Sequence, residues 1–141
     1  MKATRTGVDL VFDGQCGFCT RCVLWIQRLD RHHRVTLHPF QRAGVRQRFG
    51  LSERQVSSAV WAFGGGQRRS GAGAINMVLD AALGIRIFTA IWRVPGIRQL
   101  QEALYGWVAA HRSAMPGTGP WCVTHPGDCD PAAGVGSCSG R

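Results

Sequence analysis

The residues of this chain best suited to chemistry are Cys16 and Cys19, separated by Gly17-Phe18, with Asp13 three positions before the first of them. A thiolate, not a thiol, attacks disulfides, and a free cysteine with a pKa near about 8.5 is shifted toward the thiolate at a helix N-terminus. Unpaired backbone N–H groups and the helix dipole favour negative charge there. Two intervening residues span one turn, so both sulfurs are expected within bonding distance. Cys16, nearer the loop, is expected to be the exposed attacker and Cys19, a turn deeper, the resolving thiol. Dithiol couples of this kind range over roughly −270 to −120 mV. Asp13 admits two compatible roles: a turn or capping carboxylate worth about 1 kcal/mol, and a proton acceptor that helps Cys19 ionise, directly or through one water.

The chain carries 6 cysteines, and their spacing leaves a metal alternative open. Cys16, Cys19 and Cys22 form C-x-x-C-x-x-C, part of a bacterial ferredoxin run, but Val23 to Ile26 supply no following Cys-Pro. A structural zinc site needs one further ligand, for which Cys122, His125 or Cys129 folding back would serve. Cys22 reads either as a small buried hydrophobe or as a third redox thiol. Cys122 reads as a packing residue or a backup resolving thiol. Cys129 and Cys138 have no assignable partner; tail-to-tail pairing under air would be unsurprising. His32 and His33 read as solvated turn residues beside a helix C-terminus, where positive charge is favoured.

Positioning this chemistry requires a strand that ends where a helix begins. Val8 and Leu10-Val11-Phe12 predict a buried strand over about 8–12, broken by Asp13-Gly14. The period then changes: Cys19, Cys22, Val23, Ile26 and Leu29 share one helical face, predicting a helix from near Cys16 to Asp30. Val35 to His38 predicts a second strand, parallel to the first across a right-handed crossover, and Pro39 ends it. Ser52 with Gln55 predicts a capping box for one helical turn. Ser58 to Phe63, the turn at Gly64-Gly65-Gly66 and Gln67 to Ser70 predict a hairpin. The first hairpin strand is expected to run antiparallel to strand one, making Val56, Ser57, Ser58, Ser70 and Gly71 candidate neighbours of the dithiol. Exposed backbone at that edge could pair with an extended substrate chain.

Ser70 is predicted to cap a helix with Ile75, Val78, Leu79, Ala82 and Leu83 buried, ended by Gly84. A short apolar piece around Phe88, Ile91 and Trp92 stops at Pro95. A last amphipathic helix follows with Ile97, Leu100, Leu104, Trp107 and Val108 on one side. Trp92 and Trp107 read as packing residues. The result is an α/β class: βαβ, then a β-hairpin, with additional C-terminal helices, over residues 7–115. From 116 to 141 the composition turns to Gly, Pro, Ser and Asp, predicting a largely disordered, cysteine-containing tail, most of all from Gly134 to Arg141.

Composition narrows the function classes. The chain has 141 residues, with 45% apolar and 18% charged content, enough for one domain with its own core. Formal charge is +9, from 17 basic and 8 acidic residues. Such a balance can serve nucleic acid or an anionic membrane surface. The arginines are scattered without aromatic stacking residues between them, which points to a solvated surface and no nucleic-acid partner. No charged-then-apolar leader and no spanning run of about 18 uncharged apolar residues is evident. The expectation is a reducing cytoplasmic setting with no membrane span.

The stretch from Val11 to Cys19 resembles the signature of the DCC family of thiol-disulfide oxidoreductases, an aspartate followed by two cysteines as D-x-x-C-x-x-C, which Asp13, Cys16 and Cys19 match. The likeness continues at His38-Pro39-Phe40-Gln41, Ser70-Gly71-Ala72, Trp92-Arg93-Val94-Pro95-Gly96, Tyr105 and His111-Arg112. It implies a thioredoxin-like fold and a protein-disulfide reductase type of activity. Cys16 and Cys19 would exchange with a disulfide-containing protein or small molecule, supplied by an external thiol reductant or oxidant, with no bound cofactor. Thioredoxins place a cis-proline before the third strand, facing the dithiol. No proline lies between Pro39 and Pro95 here, so another residue fills that place or substrates dock differently.

Overall fold

The computed structural model describes residues 7–111, 114 and 117–130. Strand β1 (Val8–Phe12) leads into helix α1 (Gly17–Leu29), and β2 (Val35–Pro39) returns beside β1. Two short helices, α2 (Val45–Phe49) and α3 (Glu53–Ser58), precede a hairpin of β3 (Trp61–Gly64) and β4 (Gln67–Ser70). Helices α4 (Gly71–Leu83), α5 (Ile87–Trp92) and α6 (Ile97–His111) follow, then α7 (Trp121–Thr124) and a 3-10 turn at Pro126–Asp128.

The four strands form one mixed sheet in the order β2-β1-β3-β4. β1 pairs parallel to β2 and antiparallel to β3, with Val11 opposite Trp61. The fold is thioredoxin-like mixed α/β, as the βαβ-plus-hairpin pattern implied. β1 is central and buried on both faces, which is why it reads as an unbroken apolar run. Its Leu10 and Phe12 pack with Val23 and Ile26 of α1 and Ala74 and Val78 of α4. Val11 faces the other way, against Phe40, Val45, Leu51 and Val56.

Several expectations are corrected. Ser52 and Gln55 do form a reciprocal capping box, but the helix it starts runs on through Ser58, so β3 begins only at Trp61. Ser70 stands at the N-cap of α4 without a side-chain cap bond. The Glu102 carboxylate reaches the helix start instead, accepting from Ala72 N at 3.4 Å. Gly71 adopts φ +61, and a Cβ there would lie 3.0 Å from Glu102 Oε1, so both backbone and space call for glycine. Within α4, Val78 and Ala82 are buried as expected, whereas Leu83 is exposed.

The largest correction concerns α6. None of its residues is buried. Its contacts with the body include three side-chain hydrogen bonds: Gln101 Oε1 accepts from Asn76 Nδ2 at 2.8 Å, Glu102 Oε2 from Trp92 Nε1 at 3.0 Å, and Tyr105 Oη from Val60 N at 3.0 Å. Leu100, Leu104 and Trp107 therefore point outward, at 68%, 61% and 55% exposure.

The segment expected to be loose from 116 onward is built into the domain over 117–130. Trp121 is buried and meets Phe12 edge-on, with ring centroids 5.5 Å apart. Cys122 and Cys129 are joined by a disulfide. A large aromatic, a bridge and several hydrogen bonds thus hold a stretch whose composition alone favours a coil. The stretch Gly134 to Arg141, Cys138 included, lies outside the described residues.

Candidate active site

Cys16 is the N-cap of α1, and its Sγ accepts from Cys19 N at 3.3 Å. Its own N–H donates to Asp13 O at 3.2 Å, closing the turn that carries the chain from strand to helix. No acidic residue lies in the first turn of α1, so the positive end of the dipole is not neutralised locally. Cys19 sits one turn in and is buried.

One expectation about these sulfurs is corrected: Cys16 is wholly buried rather than exposed. It is disulfide-bonded.

The 117–130 segment lies against the dithiol loop as a strap. Thr118 N donates to Gly17 O at 3.2 Å, Cys122 N to Gly14 O at 2.9 Å, and Trp121 N to Thr20 Oγ1 at 2.9 Å. A Cβ on Gly17 would stand 2.4 Å from Thr118 O, and one on Gly14 would stand 2.9 Å from Cys122 Sγ. The glycines on either side of Cys16 are therefore what lets the strap close down.

The strap's far end is tied by Asp128. Its carboxylate takes two bonds from Arg42, Nε to Oδ1 and Nη2 to Oδ2, each 2.7 Å, and one from Trp121 Nε1 at 2.8 Å. Hydrogen bonding from Arg42, reinforced by Trp121 and the nearby charges, holds this carboxyl below the usual carboxylate range despite partial burial. A depressed folded-state pKa contributes stability that is present above the unfolded value, near about 3.9, and lost as pH falls through the folded value. Stability should accordingly drop in acid below about pH 4, and Arg42→Met should flatten this part of the profile. Denaturant titrations of both proteins across that range measure it; identical slopes would count against Asp128 as a strap anchor.

Asp13 is buried, and its Oδ1 accepts from Gln15 N at 2.9 Å and Gln41 Nε2 at 3.0 Å. Gln41 Oε1 in turn accepts from Gly14 N at 2.9 Å. One amide side chain, itself buried, thus fixes both the carboxylate and the loop before Cys16. Gln41 was not singled out as a site residue. The signal was its place straight after Pro39-Phe40, where β2 ends alongside β1 and the next residues must lie over the mouth of α1. Gln41→Leu leaves the buried Gly14 N–H without its partner and should cost about 1–3 kcal/mol of stability, read from the urea midpoint at unchanged m-value.

Cys19 and Cys22 line a small apolar cavity of about 70 Å³ with Phe18, Val60, Tyr105 and Ala109. Burial pushes the Cys22 thiol above its ordinary pKa, against the opposing charge of Arg21. Cys22 is half-buried there. Of the candidate neighbours, Ser57, Ser58, Ser70 and Gly71 line one open groove of about 520 Å³, which meets the cavity at Tyr105 and Ala109. Val56 is not among them; it packs in the second core beside Phe40. Cys122, buried under the strap, is neither a lone packing residue nor a free resolving thiol, being bonded to Cys129. Among the described residues no three His, Cys, Asp or Glu side chains converge as a metal site, and none of the peptide bonds is cis.

A strand-to-helix mouth carrying a cysteine pair behind a buried aspartate is an arrangement for sulfur exchange, and the DCC1-like thiol-disulfide oxidoreductase family model matches residues 10–118. The chain belongs to that family. The match begins at Leu10 within β1, covers the dithiol loop, the other three strands and α6, and ends at Thr118, where the strap crosses Gly17. Membership assigns thiol-disulfide oxidoreductase chemistry in general. Neither a curated protein nor a solved structure matches the chain. No helix among the described residues is long and apolar enough to cross a membrane.

Proposed function

We propose that this DCC1-like protein is a protein-disulfide reductase type of enzyme in which Cys16 and Cys19 exchange with substrate disulfides through a mixed disulfide. The observation that carries the reading is the sulfur arrangement. Cys16 stands at the helix mouth as the N-cap, and its Sγ accepts from the N–H of Cys19, one turn deeper. That contact puts the two cysteines side by side at the positive end of the helix, which is what attack and resolution require.

In the proposed cycle the Cys16 thiolate attacks one sulfur of the substrate disulfide. The other substrate sulfur leaves as a thiolate and takes up a proton. Cys19 then gives its proton to Asp13, directly or through a water, and attacks Cys16 Sγ. The product thiolate departs, leaving Cys16–Cys19 oxidised. An external dithiol returns the pair to the reduced state, and no bound cofactor takes part. The helix N-terminus favours the thiolate on Cys16, and Gln41 and Gln15 hold Asp13 in place. The open groove by Ser57, Ser58 and Ser70 offers a docking place for a substrate segment. A reducing cytoplasm is the setting that fits this direction of exchange.

The reading is tested by a disulfide-reduction assay with a thiol regenerant, comparing wild type with Asp13→Asn. Loss of a proton acceptor of this kind should slow turnover by about 10²–10⁴-fold. The mixed disulfide should then persist during turnover, because the resolving step is the one affected. Full-speed turnover by Asp13→Asn would leave the carboxylate with a structural role alone.

A further inference from the structure

Cys16 is wholly buried, and a sulfur with no exposed surface cannot meet a substrate disulfide. The chain that lies across it on both sides is the strap. Its first half bonds Gly14 O through Cys122 N, Gly17 O through Thr118 N, and Thr20 Oγ1 through Trp121 N. These three acceptors stand just before Cys16, just after it, and one turn further along α1. The second half of the strap is fixed elsewhere, Asp128 on Arg42 and Asp130 N on Gln41 O at 2.8 Å. The Cys122–Cys129 bridge ties the two halves together, bringing positions 7 apart in sequence to a Cα separation of 5.6 Å. The bridge therefore carries the hold of Asp128 and Asp130 directly to Cys122, the residue seated on Gly14. Both of its cysteines lie beyond the family match, which ends at 118. Cys122 is buried, whereas Cys129 is only half-buried, so the Cys129 side of the bridge is the one open to an incoming thiol.

We propose that Cys122–Cys129 is a second redox site, a bridge whose reduction by an external dithiol releases the strap and uncovers Cys16. The inference rests on the reading of Cys16 as the attacking thiol. One thiolate of the dithiol attacks Cys129 Sγ, the Cys122–Cys129 bond breaks, and Cys122 leaves as a thiolate and takes up a proton. The second thiol of the dithiol then loses its proton and attacks the first. Cys129 departs as a thiolate, is protonated, and the dithiol ends as a cyclic disulfide. Two electrons pass from the dithiol to the bridge, and no other reactant takes part. A cross-link removes open conformations of the segment it closes, so its loss favours them. Opening is local, leaving the sheet and α1 in place. The reductant is of the class that regenerates the Cys16–Cys19 pair in the proposed cycle. Reducing surroundings thus both uncover the nucleophile and recharge it, and under oxidising conditions the strap stays shut and the enzyme latent.

The test follows the oxidised full chain after dithiothreitol is added. Timed aliquots receive a brief pulse of excess N-ethylmaleimide, and peptide mapping reads which cysteines are labelled. In the wild type Cys122 and Cys129 should be labelled first and Cys16 only after them. In Cys122→Ser with Cys129→Ser, treated in the same way, Cys16 should be labelled roughly tenfold faster or more. Circular dichroism verifies that the variant keeps its fold, and the order of labelling in the wild type decides the matter without the variant. The proposal is overturned if Cys16 is labelled ahead of the bridge cysteines, or at the same rate in both proteins. Labelling is read without turnover. A guarded Cys16 in a protein that reduces no disulfide would therefore count against the reductase reading alone. An unguarded Cys16 in an active reductase would count against the bridge alone.

Discussion

Replacing Cys16 by serine should abolish disulfide reduction, lowering turnover by at least about a thousandfold, or roughly 4 kcal/mol of barrier. A hydroxyl at the helix mouth is a far weaker acid than a thiol, so the field that favours a thiolate there has almost no alkoxide to populate. The substitution changes one atom at a buried N-cap, and serine is a favoured N-cap residue. The fold should therefore survive, and the loss would be chemical. Cys19→Ser should behave differently. Attack by Cys16 does not need Cys19, so the first half-reaction should proceed and the second should stall. Cys22→Ser should retain most activity, since burial holds that thiol in its protonated form. Steady-state assays of the three variants separate the roles, and a Cys16→Ser protein that turns over as wild type would remove the nucleophile from the account.

Trp121→Ala should lower the free energy of unfolding by about 3–5 kcal/mol, the usual cost of removing a large core aromatic. The residue lies outside the family match and in a stretch of coil-like composition. Even so its ring is buried against Phe12, stacks on His125 at 4.0 Å, and donates to Asp128 Oδ2, while its backbone N–H binds Thr20 Oγ1. Losing it frees the strap from both the core and α1. After reduction, Cys16 should then alkylate faster than in the wild type, because the segment that buries it has lost its anchor. Denaturant unfolding and timed alkylation measure the two effects. A cost below about 1 kcal/mol, within the range of a surface change, would mean the strap is not part of the core.

The parts legible in the sequence were those governed by neighbours along the chain. β1 and the mouth of α1 followed from an apolar run that switches to helical period at Cys16, and the hairpin followed from Gly64-Gly65-Gly66. The parts that escaped depend on distant partners. The stripe of Ile97, Leu100, Leu104 and Trp107 identifies an apolar face of α6 but not its direction. That direction is decided by Gln101, Glu102 and Tyr105 finding Asn76, Trp92 and Val60. The strap escaped because its hold comes from Arg42 and Phe12, both far upstream in the chain, and from a Cys122–Cys129 bridge that composition does not reveal. Of the candidate site, the placement of Cys16 and Cys19 at the helix mouth was legible from spacing, whereas the burial of Cys16 was not, because Gly14 and Gly17 read as turn residues until the strap is seen to press on them.

The most direct measurement concerns where substrate sulfur becomes attached. Cys19→Ser protein, reduced and then incubated with a disulfide substrate, should accumulate a covalent adduct whose peptide map places the new bond at Cys16, released by added dithiol. An adduct carried at Cys22 or Cys122, or full turnover with no adduct at all, would contradict the exchange cycle.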